Sequence, residues 1–176
     1  LALLVLLLPL LLCIGVLVAL NMGRPVIFRQ TRAGAGGKPF TLLKLRSMNE
    51  QRDSGGELLS DSERTTPVGR FLRRSRLDEL PGLLNVVCGD MNFVGPRPLL
   101  PETIKMKGEA GQARGEVRPG ITGWAQVNGN TLLSLDEKIE LDLWYVKNRS
   151  ALLDAKILIR TILVMIAGER ITASPV

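Results

Sequence analysis

The sequence predicts a mainly α-helical α+β fold with one short β-hairpin, headed by an apolar segment suited to a membrane. Three observations predict it. Eighteen of the first twenty residues are apolar, the exceptions being Pro9 and Gly15, and no charge appears before Arg24. Two β-prone runs, Pro25-Val26-Ile27-Phe28 and Phe40-Thr41-Leu42-Leu43, flank the turn-forming Ala33-Gly34-Ala35-Gly36-Gly37-Lys38. From Val68 onward the segments that repeat do so at helical spacing. A chain of 176 residues suits one compact domain of ordinary size.

Residues 1–22 form a helix of roughly 30 Å, enough to cross a bilayer core. Pro9 interrupts it, because an interior proline removes a backbone hydrogen bond and clashes with the preceding turn. Three readings compete: a signal peptide, a straight span with a tolerated kink, and a bent helix that enters and leaves by one face. The first lacks a small-x-small cleavage site before Asn21 and a visible basic leader region. The chain begins at Leu1, which leaves a true start, with any flanking charges, open upstream. Arg24, Arg29, Arg32 and Lys38 come directly after the apolar segment, and the positive-inside rule puts the chain from Arg24 onward in the cytoplasm.

The glycines at 34–37 read as a hairpin turn, since the P-loop spacing with its Lys-Ser/Thr is absent. Residues 49–66 are polar and read as a surface loop or short helix. Helix resumes through Phe71 and Leu72. Ser75-Arg76-Leu77-Asp78 matches a capping box, with Pro81 in the first turn and Leu80, Leu83, Leu84 and Val87 at helical spacing. Gly89 to Pro101 is too proline-rich for helix or central strand, and Arg118 to Trp124 is turn-rich. Asp136 to Asn148 reads as helix. Ala151 to Ala167 reads as an amphipathic helix with Lys156 and Arg160 on its polar side, either core or lying on the bilayer surface.

The chain has no histidine, so a Ser-His-Asp or Cys-His nucleophile, a His-ligated zinc and a His base are excluded. Two cysteines make no disulfide framework, and a reducing compartment is the simpler reading. A net charge of +6 favours anionic partners. Asp78-Glu79 is the first chemical candidate. Its bland reading is a helix start, where carboxylates complement the positive end of the dipole. Its functional reading is an ionised nucleophile or magnesium ligand kept so by amides and arginines. Lys44, Arg46, Arg70, Arg73, Arg74 and Arg76 precede the pair and Arg97 lies beyond it. Prolines on both sides of Arg97 fix its backbone, which suits a guanidinium to two-point phosphate recognition. Cys88 reads as a buried small apolar residue, and Trp124, Trp144 and Tyr145 as core.

Five motifs in order resemble the bacterial sugar transferase family, the small monotopic phosphoglycosyl transferases. They are Lys44-Leu45-Arg46-Ser47-Met48, Gly56-Glu57-Leu58-Leu59-Ser60-Asp61, Ser75-Arg76-Leu77-Asp78-Glu79-Leu80-Pro81, Gly89 to Pro98 and Arg118 to Gly129. The second resembles transferases acting on UDP-diacetylbacillosamine. The resemblance implies transfer of a sugar-1-phosphate, from a UDP-sugar that is N-acetylated, to undecaprenyl or another polyprenyl phosphate, with release of UMP and initiation of glycoconjugate assembly. It implies residues 1–22 as a re-entrant membrane-anchoring helix broken at Pro9. Residues 23–176 become a compact catalytic domain, with interfacial amphipathic helices, on the cytoplasmic face of the bacterial inner membrane.

By the same resemblance Asp78 is the nucleophile and, with Mg2+, a metal ligand. Glu79 holds metal or acceptor or takes a proton. Lys44, Arg73 and Arg97 bind phosphate or nucleotide. Expected partners are the UDP-sugar, the polyprenyl phosphate and membrane lipids, with no nucleic acid, and a homodimer is compatible. Three positions depart from the family pattern: Leu8 before the proline in place of Ser, Gly82 in place of Gln, and Asn130 in place of Arg. Two rival readings stand beside it: a membrane-anchored basic module that binds anionic lipid without catalysis, and a helical membrane structural subunit in which Asp78-Glu79 merely starts a helix.

Overall fold

The computed structural model describes residues 2–171. These sort into two compact units, one holding the residues up to Gln30 with Leu43–Leu84, the other Thr31–Leu42 with the residues from Asn85 onward.

The first unit is organised by α1 (Ala2–Met22), which runs on with Pro9 inside it. Leucines, which are not branched at Cβ, dominate, and they lose little rotamer freedom in a helix. At 21 residues it is roughly 32 Å long. Among the described residues it is the one helix long and apolar enough to cross a membrane. Ile14, Val18 and Met22 recur every four residues and are buried with Leu45 and Leu72, while Val26, Val68, Leu77 and Leu80 pack around them. Much of the helix from Val5 onward is exposed: Leu6, Leu12, Val16 and Leu20 lie open, Leu20 at 82%. A soluble protein rarely leaves so much contiguous apolar surface uncovered.

The hairpin joins β1 (Ile27–Ala33) to β2 (Pro39–Leu45) through a 3-10 turn at Ala35–Gly37. Gly36 and Gly37 take φ of 62° and 72°, a left-handed conformation that only glycine adopts cheaply, so the turn reading holds. The polar stretch after it contains a bridge between Arg52 and Leu58 and the one-turn helix α2 (Asp61–Arg64), capped reciprocally by Ser60 and Glu63. Helix α3 (Pro67–Arg74) starts under the Thr66 hydroxyl, which accepts from Gly69 N–H at 3.0 Å.

The capping box expected at Ser75 does not form. The Ser75 hydroxyl donates instead to the carbonyls of Phe71 at 2.8 Å and Leu72 at 3.2 Å. It therefore closes α3, because carbonyls orphaned at a helix end are nearer than the amides of a helix not yet begun. Arg76 then turns left-handed, Leu77–Glu79 make a 3-10 turn, and α4 (Gly82–Val87) begins only after Pro81.

In the second unit β3 (Asn92–Val94) pairs in parallel with β4 (Gly120–Thr122), Asn92 against Gly120 and Val94 against Thr122. Pro96, Pro98 and Pro101 come after β3, so the prolines stay out of the ladder as their missing N–H requires. Around this pair stand α5 (Pro101–Met106), α6 (Gly108–Arg114), α7 (Trp124–Val127), α8 (Leu135–Asn148) and α9 (Ala151–Ala167). Their core contains Val94, Trp124, Val127, Leu133, Leu141, Tyr145 and Ile157, with Trp124 stacked on Trp144 at 4.9 Å.

Helix α9 is amphipathic in an unexpected sense. Leu153, Ile157 and Val164 face the core, and the cations Lys156 and Arg160 lie 5.7 Å and 5.3 Å from the Trp124 ring centre. Leu152, Ile159, Ile162, Leu163 and Ile166 form the open side. Cys88, expected to be buried, is exposed: it stands just past the last turn of α4, beyond the helix face that packs inward.

Candidate active site

In the first unit the site is built on a turn. The Arg76 backbone, at φ 55°, sits in the left-handed region that costs a side-chain-bearing residue on the order of 1–3 kcal/mol. That conformation ends α3 abruptly and sends the chain into Leu77–Glu79, which buries the Asp78 side chain between half-buried neighbours. Leu77 and Leu80 on either side anchor the turn in the apolar cluster under α1. Asp78 and Glu79 are thus held by the packing of their neighbours, with little of their own surface free to wander.

Glu79 meets Lys44, whose ammonium donates to Oε1 at 2.8 Å with both side chains mostly shielded. Lys44 lies on β2, where Leu42 and Leu45 are buried. Three residues along, the Ser47 hydroxyl accepts from Arg73 Nε at 2.9 Å. Two of the basic residues singled out by the sequence are therefore tied to the segment that carries the hairpin out of β2. Lys44 bonds directly to the acidic pair; Arg73 bonds to Ser47.

Beside the turn lies an apolar groove of about 460 Å³. Leu11, Gly15 and Ala19 of α1 form one wall, and Pro81 and Leu84, just beyond Asp78, form another. Arg24 supplies its single charged wall. An elongated hydrocarbon suits such a lining.

Arg97 belongs to the second unit. It lines a different pocket of about 410 Å³ with Gly34, Gly36, Gly37 and Lys105. The Arg32 guanidinium of that unit is held below its ordinary pKa, by burial first and by the charge of Arg97 second. Accumulated positive charge of this kind attracts an anion.

Sequence reasoning missed one ion pair here. Arg114 donates through Nε at 3.0 Å and Nη2 at 2.5 Å to Asp142 Oδ2, with side-chain exposures of only 4% and 3%. Burial raises the Asp142 carboxyl to about 6, against the pull of Arg114 and then Arg97. A signal was present: Asp142 stands three residues after Ile139 and three before Tyr145, on a buried helical stripe.

No group of three or more carboxylate or cysteine side chains able to enclose a metal occurs among the described residues. The donor set at the turn, the buried Asp78 carboxylate beside Glu79, is compatible with an ion such as magnesium, which keeps most of its water and binds through one or two carboxylates plus substrate phosphates. It does not fit an all-protein metal cage.

Comparison with known proteins agrees with the motifs. The model of the bacterial sugar transferase family matches residues 1–168. The uncharacterized sugar transferase EpsL of Bacillus subtilis (strain 168) is 51% identical over 154 residues, covering 88% of this chain and 76% of that protein. The UDP-glucose:undecaprenyl-phosphate glucose-1-phosphate transferase of Escherichia coli (strain K12) is 43% identical over 164 residues, covering 88% of this chain but only 35% of its own length. The UDP-N-acetylgalactosamine-undecaprenyl-phosphate N-acetylgalactosaminephosphotransferase of Aeromonas hydrophila is 39% identical over 168 residues, 91% of this chain and 40% of that one. The chain thus spans much less than two thirds of the length of these two named transferases. With a match over nearly its whole length, and with the acidic turn and its lysine in place, the chain belongs to the bacterial sugar transferase family.

Proposed function

We propose that this protein transfers a sugar-1-phosphate from a UDP-sugar to undecaprenyl phosphate at the cytoplasmic face of a bacterial inner membrane, releasing UMP. The observation that carries the reading is the buried Asp78 on a constrained turn, next to the Lys44–Glu79 pair and to an apolar groove shared with α1.

In this scheme an Asp78 oxygen attacks the phosphorus that bears the sugar. The bond from that phosphorus to the bridging oxygen breaks, UMP leaves with the electron pair, and the sugar phosphate stays on Asp78 as an acyl phosphate. An oxygen of the polyprenyl phosphate then attacks the same phosphorus and frees the carboxylate. Splitting the transfer lets two bulky substrates take turns in a small site. Asp78 and the diphosphate oxygens would hold Mg2+, which supplies charge neutralisation at the leaving phosphate. Lys44 keeps Glu79 in place beside the nucleophile, and the Arg73–Ser47 bond does the same for the segment after β2. The groove takes the first isoprene units of the acceptor, so that its phosphate head comes up to the turn.

Helix α1 runs on through Pro9, and in this scheme that proline, which removes one backbone hydrogen bond, is the point at which a re-entrant helix would bend in the membrane. The Arg24, Arg29, Arg32 and Lys38 run supports the cytoplasmic side. The Gly56 to Asp61 motif favours an N-acetylated sugar. The relatives' names include both glucose and N-acetylgalactosamine, so both sugars belong in the test. A homodimer is compatible with this scheme, which needs one chain only.

The test is UMP release by the purified chain with Mg2+, undecaprenyl phosphate and a panel of UDP-sugars. We expect acceptor-dependent turnover with at least one sugar and a fall of at least about 10³-fold in Asp78→Asn. Equal release from both proteins would remove Asp78 as the nucleophile.

A further inference from the structure

The segment Pro96-Arg97-Pro98-Leu99 is held in an unusual way. Proline has no N–H, so two of the four residues offer no backbone donor and much of the holding falls to the carbonyls. All four are occupied. Pro96 O accepts from Gly120 N–H at 2.9 Å and Leu99 O from Ala33 N–H at 2.9 Å. Between them the acceptors are met by side chains: Arg97 O takes Arg114 Nη2 at 2.8 Å, and Pro98 O takes Arg32 Nη1 at 3.2 Å.

Arg114 is the costlier of these two guanidiniums to place. It is almost fully enclosed, and Asp142 takes Nε and shares Nη2, leaving the fork oriented so that Nη2 reaches the Arg97 carbonyl. A buried ion pair of this kind commonly contributes little net stability, because desolvating both charges offsets their attraction. Its product here is direction. The carbonyl it grips is that of the one residue in the segment whose charged side chain lines the basic pocket with Lys105 and the Gly34–Gly37 turn.

We propose that Arg114, oriented by Asp142, is a positioning residue for Arg97: it fixes the Arg97 backbone so that its guanidinium is presented to the phosphates of the nucleotide substrate. The inference rests on the reading of Arg97 as a phosphate ligand. Misplacement by about 1 Å is enough to cost up to two orders of magnitude at such a contact.

The experiment is calorimetric binding of UDP, with Mg2+, to the full-length chain at pH 8, where Asp142 is ionised. The proteins are the unaltered chain, Arg97→Ala, Arg114→Lys, Asp142→Asn, and each of the last two combined with Arg97→Ala. Asp142→Asn keeps the shape of the side chain and serves if Arg114→Lys fails to fold, and each protein is melted to verify folding. We expect Kd for UDP to rise about tenfold in Arg114→Lys and in Asp142→Asn, with no further rise when either is added to Arg97→Ala. In UMP release, KM for the UDP-sugar rises by about the same factor while kcat stays within about threefold. Losses that add fully to that of Arg97→Ala would overturn the positioning role and leave Arg97 as a ligand. Unchanged UDP binding by Arg97→Ala, or none by the unaltered chain, would overturn the Arg97 reading and the inference together.

Discussion

A Cβ on Gly69 would lie 1.8 Å from the carbonyl oxygen of Ser47 and 2.7 Å from its carbon. Helix α3 therefore rests its backbone directly on the segment after β2, and one turn later Arg73 bonds the Ser47 hydroxyl. The missing methyl sets the distance at which that bond forms. Gly69→Ala is expected to push the two backbones apart, at about 1–3 kcal/mol as for other overpacked sites. In a chain of this size that lowers Tm by several degrees, roughly 2–4 °C per kcal/mol. UMP release should fall alongside, because Arg73 and the Arg76 turn move with the helix. A thermal melt unchanged within a degree would show that the contact relaxes freely. The same residue scale explains what the sequence concealed. Ser75 fits a capping pattern, yet its hydroxyl turns back to α3 because the helix ahead starts seven residues later, at Gly82.

At the scale of elements, α1 and α9 share a feature that soluble helices avoid: each packs one narrow stripe and leaves a broad apolar side uncovered. On α1 the stripe is Ile14, Val18 and Met22; on α9 it is Leu153, Ile157 and Val164. Both open sides fit contact with lipid, α1 in depth and α9 at the interface. Pro9 is where a re-entrant path would turn, since it frees a carbonyl and clashes with the turn before it. In a chain lacking Cys13 and Cys88 and carrying a single cysteine at Ala2, labelling of intact spheroplasts and inverted vesicles reads the path. With Pro9 present the label is expected from the cytoplasmic side; Pro9→Ala is expected to straighten the helix and move the site to the opposite face. A cytoplasmic label in both proteins would show that Pro9 does not set the topology.

For the whole molecule, the buried Asp142 ties stability to pH. Its folded pKa, about 6, stands above the ordinary 3.8 because burial disfavours the charged form more than Arg114 favours it. The folded state thus holds the proton more tightly than the unfolded one. The stabilising contribution is complete below the ordinary value and disappears as pH rises through about 6. Asp142→Asn removes this dependence. In detergent, the stability of the unaltered protein relative to Asp142→Asn, read from denaturation midpoints, is expected to fall between pH 4 and pH 7. A difference constant over that range would show that Asp142 does not titrate in it.

Local chemistry was enough to read the membrane-length helix, the hairpin turn, α8 to within one residue of its start, and α9 to its end residues, because period and glycines act within a few positions. The Ser134 cap of α8 went unread. The ordered motifs identified the family. What the chain order alone did not carry were meetings between distant residues. Lys44 and Glu79 are 35 positions apart and Arg114 and Asp142 are 28 apart; the three-residue β3 finds β4 across α5 and α6. A charged residue read by itself belongs to the surface, and only its neighbours in space reveal that it is enclosed and paired. The sequence by itself therefore determined the long helices, the hairpin and the family, but not the β3–β4 pair, whose two three-residue strands carry too little local pattern. The tertiary structure decided which carboxylate is buried, which cation holds it, and which carbonyl each guanidinium grips, because burial and hydrogen bonding are set by packing between segments far apart in the chain.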